Sequence, residues 1–178
     1  MKKRPYISSV GTVRIRLAEP TDLEALHPLF EAYRFHFTHQ ADPQRGKLFL
    51  EQRLARSDSV IFVACPESIV CGFVQLFPLF SSWYARPLLF LSDLFVAPDV
   101  RKRGIAKALI ENVHDYLIDT GAISVIVEIP FSEPNLVRFY EKAGYRKDHI
   151  FQLYRLAGTA GDPVENEAPK NDSEYAGD

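Results

Sequence analysis

The sequence predicts an α+β fold: a mixed, mostly antiparallel central sheet flanked by helices, built around one core. Three observations lead there. Strand-like runs dominate the first two thirds, and two of them, residues 59–65 and 69–78, flank a Pro66-Glu67-Ser68 turn as the arms of a hairpin do. Helical periodicity occurs early, before those strands, and again late. The resulting order β-α-α-β-β-β-α-β-α-β lacks the strict alternation of a doubly wound sheet. At 178 residues the chain is the size of one ordinary domain.

Residues 12–17 alternate apolar and polar and read as the first strand. Thr21-Asp22-Leu23-Glu24 has the form of a capping box, opening a helix with Leu23, Leu26, Phe30, Tyr33 and Phe37 at helical spacing. Pro28 within it is expected to kink the helix. A short second helix is expected over 46–56, followed by the hairpin. Residues 87–96 form a long strand closed by Ala97-Pro98-Asp99. A helix over 103–119 follows, burying Ala106, Leu109, Ile110, Val113, Tyr116 and Leu117, with Gly121 as its stop. Residues 124–129 are apolar and β-branched and read as a buried strand. A last helix, 133–143, stops at Gly144, and 145–156 returns as terminal strands.

Residues 1–11 read as an N-terminal extension, 12–156 as the folded domain and 157–178 as a disordered tail. That tail holds six acids against Lys170 alone and buries too little to offset its ordering entropy. It carries −5 of a net −2, so the remainder carries +3, a balance suited to a small anionic ligand. The overall charge gives no general pull toward nucleic acid or an anionic membrane. No apolar run reaches the roughly 20 residues of a membrane span, and the basic Met1-Lys2-Lys3-Arg4 is followed by no signal-like apolar region. Cys65 and Cys71 lack metal spacing and read as small buried hydrophobes in a reducing, cytoplasmic setting.

The stretch from Leu91 to Leu109 carries the chemistry. A strand ends, a basic turn follows, and a helix begins with Gly104 and Ala106 in its first turn. Free backbone N–H groups at a helix start, aided by its dipole, make an anion site. Gly104 lets a phosphate approach the backbone, and Arg101, Lys102, Arg103 and Lys107 add positive charge. A solvated basic helix start is the plainer alternative on these residues alone. No G-x-G-x-x-G and no phosphate-loop lysine motif accompany it.

Arg101-x-x-Gly104-x-Ala106, after Asp93-Leu94-Phe95-Val96-Ala97-Pro98, resembles the acyl-CoA signature of the GNAT superfamily of N-acyltransferases. The later Asn135-Leu136-Val137-Arg138-Phe139-Tyr140-Glu141-Lys142-Ala143-Gly144-Tyr145 resembles that superfamily's second signature, at the matching distance of one helix and one strand. The resemblance covers residues 12–156. It implies the GNAT-like fold, acetyl-CoA as co-substrate without a metal, and direct attack of an amine on the thioester. It further implies that amides of Arg101, Lys102, Arg103, Gly104, Ile105, Ala106 and Lys107 hold the pyrophosphate. The backbone of Leu94, Phe95 and Val96 would pair with the pantetheine arm. Tyr140 stands where many members have a tyrosine acid for the departing thiolate; the alternative is a core aromatic.

Asp93 interrupts an apolar strand, and by parity it groups with Leu89, Leu91 and Phe95. A buried carboxylate needs a partner. Asp93 either binds and deprotonates the substrate amine or braces a neighbouring loop. Two departures stand out. The polyamine-acetylating members, within the histone- and polyamine-acetylating branch that this segment resembles, carry a second acid before this aspartate, where this chain has Ser92. Many relatives place a cofactor-contacting asparagine where this chain has Glu133, with Asn135 two residues later.

On the acceptor side, Phe77-Pro78-Leu79-Phe80-Ser81-Ser82-Trp83-Tyr84 reads as an aromatic connection that either lines a cleft or covers the core. Tyr33, Arg34, His36 and His39 are in reach of the same cleft, though the histidines read better as surface or core residues. The expected function is acetyl transfer to a primary amine of a small molecule. A protein lysine is the second acceptor, a non-catalytic acyl-CoA-binding module the rival class. A homodimer follows by resemblance.

Overall fold

The computed structural model describes residues 7–10, 13–66, 69–154 and 156; the tail expected to be disordered lies outside them. The chain divides into two compact units, Met1–Glu128 and Ile129–Asp178. The first holds one sheet in the order β1-β2-β3-β4-β5-β6: Ile7–Val10, Val13–Leu17, Val60–Pro66, Gly72–Ser81, Arg86–Val96 and Val125–Val127. The first four pairings are antiparallel, and β6 joins β5 in parallel, so the sheet is mixed and mostly antiparallel as expected. β1 adds an edge strand within residues read from the sequence as an extension.

Helices α1 (Leu23–Thr38) and α2 (Pro43–Arg56) cover one face of the sheet. Leu26, Phe30 and Leu50 pack there on Ile61, Val63, Cys65, Phe73 and Phe95. Helix α3 (Ile105–Thr120) covers the other, burying Leu109, Ile110 and Val113 and setting Tyr116 edge-on against Phe62 at 5.5 Å. With helices on both faces, Ile61 to Cys65 of β3 are all buried, and the cysteines are buried thiols. Burial raises both thiol pKa values, that of Cys71 to about 11.

Several boundaries differ from expectation, for local reasons. The Thr21–Glu24 box does not open α1. The Asp22 carboxylate is taken in two-pronged fashion by Arg16, at 2.6 and 2.7 Å, and by the Glu19 amide at 2.7 Å. Glu24 instead meets Lys47 at 2.7 Å. Helix α1 runs through Pro28 unbroken. Helix α2 starts at Pro43 because Asp42 accepts the Arg45 amide at 3.0 Å, and a Cβ at Gly46 would collide with Glu31 Oε1.

Strand β6 is short and half-exposed, not buried: among the described residues it pairs on one side only, with β5.

In the second unit, α4 (Pro134–Lys142) ends as expected before Gly144, whose φ is +93°. The terminal strands expected over 145–156 do not form among its described residues. There the Asp148 carboxylate accepts the amides of Ile150 and Phe151, at 2.6 and 3.0 Å, turning the backbone where a strand would need it extended. No helix among the described residues is long and apolar enough to cross a membrane.

Candidate active site

The basic turn is assembled at the end of β5. A 3-10 turn, Pro98–Val100, leads from the strand, and Lys102 and Gly104 both take positive φ, +61° and +79°. Helix α3 therefore starts two residues later than the sequence implied, with Gly104 before it as N-cap rather than inside its first turn. No side chain caps it, so the amides of Ile105, Ala106 and Lys107 are the unspent donors of a helix start. A Cβ built on Gly104 meets nothing within 4 Å. The space beside Gly104 is open, and Lys102, Arg103 and Lys107 around it are exposed cations. This arrangement fits an anion such as a pyrophosphate. Arg101 does something else: its Nε donates to the Val96 carbonyl at 2.9 Å and its guanidinium lies 5.4 Å from the Phe95 ring centre. Its side chain closes the strand end.

Strand β5 leads into that turn with one edge unspent. β6 pairs only with Leu89 to Leu91, so among the described residues of this unit no strand pairs along the same edge of Ser92 to Val96. Along it the Val96 carbonyl already accepts from Arg101, and the Phe95 carbonyl faces Gly72 of β4.

The register of β5 on β4 slips at this point. Gln75 faces Asp93 and Leu76 faces Leu91, so Ser92 is an extra residue, a bulge. The slip overturns the parity read from the sequence. Asp93 lies in the row Ile61–Gln75–Asp93, facing α1, whereas Leu91 lies in the row Val60–Leu76–Leu91, facing α3. Leu89 goes with Leu91, and only Phe95 keeps company with the acid.

Asp93 is 7% exposed, and burial pushes its pKa up from 3.8 to about 6, against hydrogen bonds from Tyr33 and Ser92 that hold it down. The Tyr33 hydroxyl also donates to the Ser92 carbonyl at 3.2 Å. Gln75, fully buried, donates to Ser59 Oγ at 2.8 Å and leaves its Oε1 without a partner. Gln75 and the bulge escaped the sequence reading. Gln75 did leave a trace, as a single amide in the apolar run from Gly72 to Phe77, but nothing in the sequence marks the bulge.

Of the other acceptor-side candidates, Arg34 is engaged elsewhere. It bonds Glu31 at 2.7 Å and the Asp42 carbonyl at 2.9 Å, which builds the α1–α2 corner. His36 stacks edge-on against Phe37 at 4.7 Å, and His39 is exposed at the end of α1. The aromatic connection is shorter than expected, with only Ser82, Trp83 and Tyr84 of it in the turn. Residues 77–81 continue β4 and pair with 86–90, beyond the last rung of β3 at Val60. Phe80 and Trp83 are 82% and 72% exposed, so they do not cover the core.

In the second unit, Tyr140 is buried on α4, edge-on to Phe139 at 5.3 Å and to Tyr145 at 5.2 Å. Burial raises the Tyr145 pKa to about 12. Asn135, in the first turn of α4, is exposed, and Glu133 precedes that helix as its N-cap. Among the described residues no group of three or more His, Cys, Asp or Glu is disposed to hold a metal ion.

Comparison with known proteins adds a family. A model described as the acetyltransferase (GNAT) family matches residues 23–145. Over 144 residues the chain is 34% identical to an uncharacterized N-acetyltransferase, YhfO, of Bacillus subtilis, covering 81% of this chain and 97% of that protein. It is 28% identical over 151 residues to an L-ornithine N5-acetyltransferase of Arabidopsis thaliana, covering 82% of this chain and 59% of that one. The crystal structure of a probable acetyltransferase aligns with a TM-score of 0.77 at 32% identity, over 82% of this chain and 99% of that one.

Proposed function

The chain belongs to the acetyltransferase (GNAT) family, and on that premise we propose that it transfers acetyl from acetyl-CoA to a primary amine of a small molecule. The observation that carries this reading is the continuity of the site. One strand bears a buried acid at a bulge, then an unpaired edge, then an uncapped, glycine-opened helix start.

In this reading the amides of Ile105, Ala106 and Lys107 receive the pyrophosphate, and Leu94 to Val96 align the pantetheine arm. Acetyl-CoA supplies an activated thioester; the amine nitrogen bonds to the acyl carbon, the carbon–sulfur bond breaks, and the thiolate takes a proton. Asp93 receives the acceptor. Above about pH 6 it is a carboxylate, and an ammonium gives it a cation that no described residue supplies there. An ordinary side-chain amine has pKa ~10.4, so moving its proton to this carboxylate is uphill by about 6 kcal/mol in water-like surroundings. The rise of the acid is already in that figure, and burial of the ammonium narrows the gap further by lowering its pKa. Tyr140 would protonate the thiolate; a phenol near 10 against a thiol near 8.5 leaves only about 2 kcal/mol to supply.

The acceptor class follows from the same acid and from the relative named for L-ornithine, whose side-chain amine is primary. Nothing here singles out the histone- or polyamine-acetylating branch. A homodimer in a reducing cytoplasm is part of the reading, and a monomer mass by light scattering at micromolar concentration would remove the dimer.

The test is calorimetric titration of acetyl-CoA into the wild type and Gly104→Glu, followed by a thiol-release assay over primary amines with Asp93→Asn and Tyr140→Phe. Binding lost in Gly104→Glu, with turnover lost in the other two while they still bind, supports the assignment. Binding without turnover on any amine, in all forms, favours an acyl-CoA-binding module instead.

A further inference from the structure

Tyr33 reaches the β5 bulge from α1, 59 residues away in sequence, and its hydroxyl serves two groups there. Its single O–H proton is shared between the Ser92 carbonyl, at 3.2 Å, and the Asp93 carboxylate. Its ring is locked, edge-on to Phe73 at 6.1 Å, to Phe95 at 6.4 Å and to Phe37 at 5.1 Å. A hydroxyl on so fixed a ring holds its acceptors in place and adds little mobility of its own.

We propose that Tyr33 is a positioning residue, which clamps the bulge carbonyl of Ser92 and orients the Asp93 carboxyl toward the acceptor amine. This rests on the acetyltransferase reading, in which Asp93 receives that amine. The bulge explains why a clamp is needed. An extra residue leaves the Ser92 carbonyl outside the regular ladder to β4, and a partly buried carbonyl without a partner is costly. The groups facing Asp93 are few: Tyr33 from α1, Ser92 on its own strand and the uncharged Gln75 on β4. Among the described residues no charged side chain is a cause of its shifted proton affinity. Burial raises its proton affinity and its two hydroxyl partners oppose that rise, and Tyr33 is the one that a distant helix supplies.

The experiment compares wild type, Tyr33→Phe and Asp93→Asn in two ways. The Asp93 carboxyl is titrated by carbon-13 NMR of aspartate-labelled protein, with Asp93→Asn assigning its signal. Thiol release with L-ornithine and other primary amines then gives the pH dependence of kcat. Tyr33→Phe keeps the ring and removes one hydrogen bond to the carboxylate. The Asp93 proton affinity should rise about fivefold. The acid limb of kcat should move to higher pH by the same factor, while KM for acetyl-CoA stays unchanged. An unmoved Asp93 titration in Tyr33→Phe overturns the proposal. A moved titration with an unmoved acid limb overturns it too, where Asp93→Asn is inactive. Full activity in Asp93→Asn instead sinks the reading of Asp93 on which the proposal stands. If Tyr33→Phe does not fold, 3-fluorotyrosine at position 33 strengthens the donor and should lower the Asp93 proton affinity; no change or a rise refutes the clamp.

Discussion

Replacing Asp93 by Asn should stabilise the protein at neutral pH while abolishing transfer. Burial holds the Asp93 carboxyl at about 6 against an ordinary 3.8. The native state thus binds this proton more tightly than the unfolded chain does, so folding stability falls as pH rises from 3.8 to 6 and stays lowered above it. At about 1.4 kcal/mol per pH unit the deficit is at most about 3 kcal/mol. An asparagine carbonyl can still accept from Tyr33 and Ser92, so the substitution removes the charge and keeps the acceptor. Urea denaturation at pH 7.5 and pH 4 measures the difference. Far-UV circular dichroism is the suitable probe, because Trp83 is 72% exposed at a hairpin tip and reports poorly on the core. The variant should gain up to about 3 kcal/mol at pH 7.5 and little at pH 4. An equal gain at both pH values, or a loss at pH 7.5, would show that Asp93 is not a strained acid and would refute the reasoning.

Gly46→Ala, ordinarily favourable inside a helix, should instead cost about 1–2 kcal/mol in thermal unfolding, because its methyl displaces Glu31 from Arg34. A Glu31→Ala background should restore the loss. Gly72→Ala puts a methyl 2.9 Å from the Phe95 carbonyl, in backbone that cannot step aside. It should cost about 1–3 kcal/mol of stability and weaken acetyl-CoA binding by calorimetry, since it pries β5 from β4 just before the basic turn. Arg16 holds the Asp22 pKa below its ordinary value, so this pair's stabilisation is present at neutral pH and lost as pH falls through the native-state value. Asp22→Asn should therefore destabilise by about 1–3 kcal/mol at pH 7 and progressively less toward pH 3 in denaturant titrations.

The sequence by itself determined what depends on neighbours along the chain. Apolar alternation and turn residues located the hairpin arms and the long strand 87–96. The glycine at 121 stopped α3, and the order of basic turn, glycine and amphipathic helix marked the candidate anion site and, by resemblance, the family. These signals repeat at short intervals and are legible without a partner. Tertiary structure decided the rest. Whether Asp93 shares a face with Leu91 depends on one unpaired residue, Ser92, and a bulge has no composition of its own; it exists only as a register between two strands. Tyr33 meets Asp93 because α1 crosses the sheet there, and no spacing within α1 records it. Gly104 took its place before the helix, rather than inside it, through a left-handed φ. The strands expected over 145–156 gave way to a turn because one aspartate side chain competes for the amides that a strand would spend on its neighbour. Periodicity shows which residues want burial; which of them meet, and with what proton affinity, is set by register and by the helices that close over the sheet.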